Sequence, residues 1–169
     1  MTVMAAATLP PFQAFLDEHA RPVHAFLRGM VAPDDVEDCL QETFLAALRS
    51  YPRAEPLNLR AWVLTIAHRK AIDHHRARAR SAVPVAEVPE RAAADATLGM
   101  GVRDSAIWAA VSELPQRQRA AVVLRFAVDL RYRDVGAALG CSEEAARQSV
   151  HDGLKKLRVS AADLKEEAA

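Results

Sequence analysis

"GCSEEAARQSVHDGLKKLR", Gly140 to Arg158, has the pattern of the second half of a helix-turn-helix. Two helices that cross steeply through a short turn need a small residue where their backbones meet. They also need a turn residue that tolerates positive φ, and apolar side chains aimed at the partner helix. Gly136 supplies the first, Gly140 the second, and Val135, Leu139, Cys141, Ala146 and Val150 form the inward set. Ser142 is placed to cap the second helix, with Glu143 and Glu144 in its first turn, where the helix dipole favours carboxylates. The outward face is then Glu144, Arg147, Gln148, His151, Asp152 and Lys155. Arg147 and Gln148 have the donors for bidentate contacts to guanine and adenine edges, whereas the carboxylates weaken nonspecific attraction to phosphates. Taken alone, the two helices are also compatible with a simple αα-hairpin in a bundle.

Working outward, a short helix over Arg131–Leu139 precedes this one, and a helix over Glu143 to about Arg158 follows the turn. Upstream, helical period runs through Ile107, Trp108, Val111 and Leu114, stops at Pro115, and resumes with Ala121, Val122, Leu124 and Phe126. Nearer the N-terminus, Phe12, Phe15, Leu16, His19, Val23, Phe26, Leu27 and Met30 form a stripe that Pro22 is expected to kink or split. A helix after Pro33, with Asp34 as N-cap, carries Val36, Leu40, Phe44, Ala47 and Leu48 and should end near Tyr51-Pro52. "PRAEPLN" is a loop by its prolines, after which Asn58 can cap a long helix from Leu59 to about Arg80, with Trp62, Val63, Ile66 and Ala67 inward. From Ser81 to about Val102 no amphipathic stripe is sustained, which predicts a flexible linker. With no strand alternation, internal repeat or glycine-rich phosphate loop, the expected class is all-α. The expected organisation is two small helical domains, 10–80 and 104–160, joined by the linker 81–103, the second with the helix-turn-helix.

Composition narrows the function classes. The chain has 169 residues, 51% of them apolar, enough for a packed core. Cys39 and Cys141 stand in no metal-ligand or CxxC spacing, which argues against a disulfide framework or zinc site and for a reducing, cytoplasmic compartment. "MTVMAAATLPPF" lacks the basic start and apolar run of a signal peptide, and no stretch nears the roughly 18 apolar residues of a membrane span, so no membrane insertion is expected. Lys plus Arg equal Asp plus Glu at 22 each, yet the charge is unevenly spread. Residues 1–50 are acidic, with Asp34, Asp35, Glu37, Asp38 and Glu42 close together. Residues 51–80 carry Arg53, Arg60, Arg69, Lys70, Arg76, Arg78 and Arg80 against only Glu55 and Asp73. A basic helix beside a loop can hold phosphates while an unpaired base is captured; an acidic helix suits a basic protein surface instead.

Several motifs in order then resemble the extracytoplasmic-function (ECF) group of bacterial RNA polymerase sigma factors, over roughly residues 10 to 160. "DDVEDCLQETFLAAL" is similar to that family's region-two helix, which docks on the β′ coiled coil of core polymerase; the resemblance assigns the contacts to Asp38, Gln41, Glu42 and Phe44. "LRAWVLTIAHRKAIDHHRARAR" resembles the helix that melts and binds the minus-ten element, which implies DNA roles for Arg60, Trp62, Arg69, Lys70, Asp73, Arg76, Arg78 and Arg80. The loop Tyr51 to Asn58 corresponds to the one that takes up a flipped base. "ELPQRQRAAVVLRF" and the helix-turn-helix resemble region four, which binds the minus-thirty-five element and the β flap, with Ser142, Glu144, Arg147, Gln148, His151 and Lys155 as DNA-facing residues. The resemblance implies no catalytic residue, no cofactor and no metal, with core polymerase and promoter DNA as partners and room for an anti-sigma factor. This chain departs from the family at Ser149 and Asp152, where basic residues are common, and at His74-His75.

Two enzyme readings fail on their own requirements. "DHH", Asp73 to His75, resembles a phosphoesterase metal motif, but that site also needs aspartates on strand ends. A di-iron bundle needs Glu-x-x-His pairs on two helices, and the sequence has none. His19, His24 and His68 read as ordinary core or surface histidines. The remaining alternative is a dimeric regulator that binds duplex DNA through the helix-turn-helix without being a polymerase subunit.

Overall fold

The computed structural model describes residues 8–54, 56–81 and 102–167. Among these the chain is helical with no strand: α1 (Phe12–Arg28), α2 (Val36–Ser50), α3 (Leu59–Ser81), α4 (Val102–Ser112), α5 (Gln116–Phe126), α6 (Tyr132–Leu139) and α7 (Glu143–Glu167). All but the ends of the expected linker lie outside the described residues.

Helix α1 runs through Pro22 as one element, so the proline does not split it. Proline removes the donor for the carbonyl of Glu18, but Glu18 is exposed and water can replace the lost partner. Phe15, His19, Val23, Phe26 and Leu27 meanwhile stay buried on both sides of the proline. Phe15 is the centre of the first group, its ring 5.0 Å from Tyr51, 5.8 Å from Trp62 and 6.2 Å from Phe44. The Tyr51 hydroxyl donates to the Pro10 carbonyl at 2.7 Å, so the buried phenol is satisfied. Asp34 does not cap α2; Pro33–Asp35 forms a 3-10 turn, Asp35 takes the N-cap position without a side-chain cap bond, and its carboxylate instead meets Arg78. Asn58 does cap α3, accepting from the Ala61 amide at 3.0 Å.

In the second group Val111, Leu114 and Leu124 are buried, whereas Ile107 (59%) and Phe126 (58%) are exposed, contrary to the stripes expected for α4 and α5. Phe126 is the last residue of α5, with the Arg125 guanidinium 5.6 Å from its ring. The turn between α6 and α7 is built as its residues require. A Cβ on Gly136 would lie 2.7 Å from the Cys141 carbonyl oxygen, and Gly140 has φ 66°. The Cys141 amide closes back on the Gly136 carbonyl, and Ser142 Oγ accepts from the Ala145 amide at 3.1 Å. Helix α7 continues to Glu167, beyond the expected end near Arg158. The two groups touch where α3 meets α6 and α1 meets α5.

Candidate nucleic-acid interface

The basic residues of α3 divide into two rows. Arg69, Asp73, Arg76 and Arg80 recur at helical spacing and are exposed. Lys70, His74 and Arg78 turn towards the acids of the first group: Lys70 and His74 lie 3.5 and 3.6 Å from Glu42, and Arg78 lies 2.5 Å from Asp35. Only the first row is available to a phosphate without breaking an internal pair. His75 meets the Met30 carbonyl at 2.6 Å, which anchors this end of α3 to the turn after α1. Trp62 is half-buried against Phe15 and Tyr51 rather than free, and Arg60 donates to the Val128 carbonyl at 2.6 Å. In the preceding loop Leu57 is 88% exposed, an apolar side chain presented beside Asn58.

On α2, Asp38, Gln41 and Glu42 are exposed, whereas Phe44, which the resemblance groups with them, is buried in the core as the inward stripe of α2 predicts. It lies three positions from Gln41 yet turns inward because Phe15 fills the space beside it. Leu48, expected inward, is half exposed, as is Leu45. Positions 38, 41, 45 and 48 recur at three, four and three residues, the spacing of a coiled-coil seam. Sequence reading took Leu48 for a core residue, because a stripe of apolar residues looks the same whether it faces a core or a partner, and it passed over Leu45, which lies off that stripe.

Ser142, just before α7, and Glu144, Arg147, Gln148, His151 and Lys155 on it are all exposed. Arg147 is held from two sides, 2.9 Å from Glu143 and 4.5 Å from the centroid of the Tyr132 ring. Gln148 donates to Asp152 at 2.9 Å, so the residue that departs from the family pattern braces its neighbour one turn away. A cleft of about 330 Å³ opens beside these groups, lined by Arg125, Arg131, Tyr132, Arg133 and Glu143. Its three arginines escaped sequence reading because they come from the end of α5, the residue before α6 and the first turn of α6, which fold together. Among the described residues, no cluster of His, Cys, Asp or Glu is placed to hold a metal ion, and no helix is long and apolar enough to cross a membrane.

Residues 15–81 match the family model for sigma-70 region 2, and residues 104–157 that for sigma-70 region 4. The chain is 32% identical over 169 residues to the RNA polymerase sigma factor CarQ of Myxococcus xanthus, covering 94% of this chain and 93% of that protein. It is 38% identical over 138 residues to the ECF RNA polymerase sigma factor ShbA of Streptomyces griseus, covering 75% and 71%. The fold is similar to that of the sigma factor RpoE from Bartonella quintana, solved with the anti-sigma factor NepR. That match has a TM-score of 0.71 at 25% identity and covers 87% of this chain and 94% of that one. A helical pair of groups with matches to both regions is a transcription-initiation subunit, and the chain belongs to the ECF group of the sigma-70 family. It is an RNA polymerase sigma factor that directs promoter recognition. The dimeric-regulator alternative is not favoured, since it gives no reason for the match over residues 15–81.

Proposed function

We propose a division of labour within the chain, with residues 10–80 as the unit for core polymerase and the minus-ten element, 81–103 as linker, and 104–160 as the unit for the minus-thirty-five element. The single observation that carries it is the separation of two surfaces on one small helical group. Helix α2 presents Asp38, Gln41, Leu45 and Leu48, two polar and two apolar side chains at coiled-coil spacing, and this face fits the β′ coiled coil. Helix α3 presents Arg69, Arg76 and Arg80 on a row that bears only one acid, Asp73, and this row fits the backbone of a separated strand. Arg147 and Gln148 read upstream base edges, and the cleft of Arg125, Arg131 and Arg133 takes the adjoining backbone. The β flap contacts the same C-terminal group.

The subunit catalyses no reaction itself and works in the cytoplasm, where Cys39 and Cys141 remain thiols. An anti-sigma factor is a further partner, by analogy with the Bartonella quintana complex. Run-off transcription with core polymerase on a promoter library tests the assignment. Reversal of Asp38 should lower core binding, and alanine at Arg69 and Arg76 should lower permanganate reactivity of the melted region while core binding holds. Unchanged values for both variants would refute the division.

A further inference from the structure

Two neighbours on α7, Arg147 and Gln148, are each tied to a carboxylate one turn away. Arg147 pairs with Glu143 at 2.9 Å, and Gln148 donates from Nε2 to an Asp152 carboxylate oxygen, also at 2.9 Å. Chemistry fixes the direction of the second bond. An ionised carboxylate only accepts, so the amide must turn its nitrogen, and not its oxygen, towards Asp152. A free glutamine flips between two amide orientations that put a donor or an acceptor at the same place. Beside Asp152 one orientation makes a hydrogen bond and the other sets lone pairs against lone pairs. Gln148 is exposed, whereas Asp152 is half-buried in the wall of a cleft of about 620 Å³. The carboxylate is therefore the better fixed of the two, since burial restricts its rotamers.

From this geometry we infer that Asp152 is a positioning residue for promoter recognition: it locks the Gln148 amide so that Gln148 reads adenine and rejects guanine at one upstream base pair. The inference rests on the reading of α7 as the base-contacting helix. In the major groove adenine presents an acceptor, N7, beside a donor, the N6 amino group, whereas guanine presents two acceptors, N7 and O6. The bond to Asp152 uses one of the two amide N–H groups of Gln148. The second N–H and the oxygen remain, and together they match adenine. Guanine needs two donors and would set its O6 against the Gln148 oxygen. An amide without the brace can turn both N–H groups to guanine, and on binding it must give up freedom that the braced amide has already lost. Cytosine offers only a donor and thymine an acceptor beside a methyl group, so neither engages both halves of the amide. Asp152 thus acts on choice without touching a base. Its charge opposes phosphates of every sequence alike, so its effect on affinity and its effect on preference are separable.

The test is run-off transcription by the holoenzyme on a promoter library that carries every base at each upstream position, with the transcripts counted by sequencing. Gln148→Ala locates the base pair: the preference for adenine over guanine should fall there by about tenfold and hold elsewhere, as loss of one bidentate contact requires. Asp152→Ala should lower the same ratio by about threefold or more, since it frees the amide without removing it. With Gln148 already alanine, Asp152→Ala should lower the ratio no further. Asp152→Asn can face Gln148 with its oxygen or its nitrogen and should fall between wild type and Asp152→Ala, a partial rescue that general loosening of α7 would not give. It is isosteric, and decides alone if Asp152→Ala fails to fold by circular dichroism. An unchanged ratio, an equal fall at every upstream position, or the same fall in the Gln148→Ala background overturns the inference. The two readings fail differently. If Gln148→Ala alters no upstream preference, α7 does not read bases through this residue and the inference falls with that reading; if Gln148→Ala alters it and Asp152→Ala does not, only the inference fails.

Discussion

The guanidinium of Arg147 lies 4.5 Å from the centroid of the Tyr132 ring, and one of its N–H groups reaches Glu143 at 2.9 Å. Arg147 is therefore pre-positioned on the second turn of α7 by a residue from each helix of the helix-turn-helix. Its fork keeps donors to spare, because an arginine has five N–H groups.

Arg147→Ala in the holoenzyme should cost about 1–3 kcal/mol at one upstream base pair, the worth of a bidentate base contact. Tyr132→Ala leaves the charge but removes the support, and should lower discrimination at that same base pair by less. Transcription from promoters carrying single upstream substitutions measures both. An effect of Arg147→Ala that is equal at every substituted position would reassign it to the backbone.

Asp152→Arg should strengthen upstream binding to all sequences alike. It adds a phosphate partner while releasing Gln148 from its brace at 2.9 Å, so the gain in affinity should come with weaker sequence preference. The slope of affinity against salt should steepen by about 0.9 for one added contact.

Core binding should fall by about tenfold or more for Asp38→Lys and for Leu45→Glu with Leu48→Glu, which corresponds to at least ~1.4 kcal/mol. All three positions are on the outer face of α2, so circular dichroism should be unchanged. Glu42→Lys is a less clean variant, since it also faces Lys70 and His74. Competition against a labelled sigma factor for core polymerase reads the loss.

Gly140→Ala should destabilise the chain by about 1–2 kcal/mol, the cost of a left-handed backbone for a residue with Cβ. Nothing lies within 4 Å of the added carbon, so the cost is conformational, and Gly140→Asn should recover part of it. Gly136→Ala meets the Cys141 carbonyl oxygen at 2.7 Å and should cost as much or more by forcing the two helices apart. Urea titration separates the pair, because asparagine gives no rescue at Gly136.

Burial holds the pKa of His19 below its ordinary value, outweighing Glu18 nearby, and burial with Arg69 does the same for His68. Both histidines are neutral in the folded chain at a pH where the unfolded chain already takes up protons. Their contribution to stability is complete above the unfolded pKa of about 6.5 and is lost as pH falls from there through the lowered folded values. The urea midpoint should therefore drop between pH 7 and pH 5, and His19→Gln should flatten that drop.

The helix-turn-helix was legible because each requirement is met within a few residues: Gly136, Gly140 and Ser142 act on neighbours in the chain. The Asn58 cap is equally local. Pro22 does not split α1, because its cost depends on whether water can reach the carbonyl of Glu18, which the packed structure decides. On α2 the stripe placed Phe44 inward, as it is, but also Leu48, which is half exposed, since the side filled by Phe15 is fixed by another helix. The Arg60–Val128 and Asn58–Asp134 contacts, 68 and 76 positions apart, leave no mark in any local pattern.

Glu42 is on the α2 surface assigned to polymerase, yet its two oxygens reach Lys70 and His74 on the helix assigned to DNA. A carboxylate shared in this way makes the two ligands thermodynamically linked. If polymerase draws Glu42 away and so frees Lys70 for a phosphate, then by reciprocity a bound strand must raise the affinity for polymerase by the same factor. Tight engagement of the enzyme and of the open promoter would then be a single equilibrium, with one side chain as its hinge.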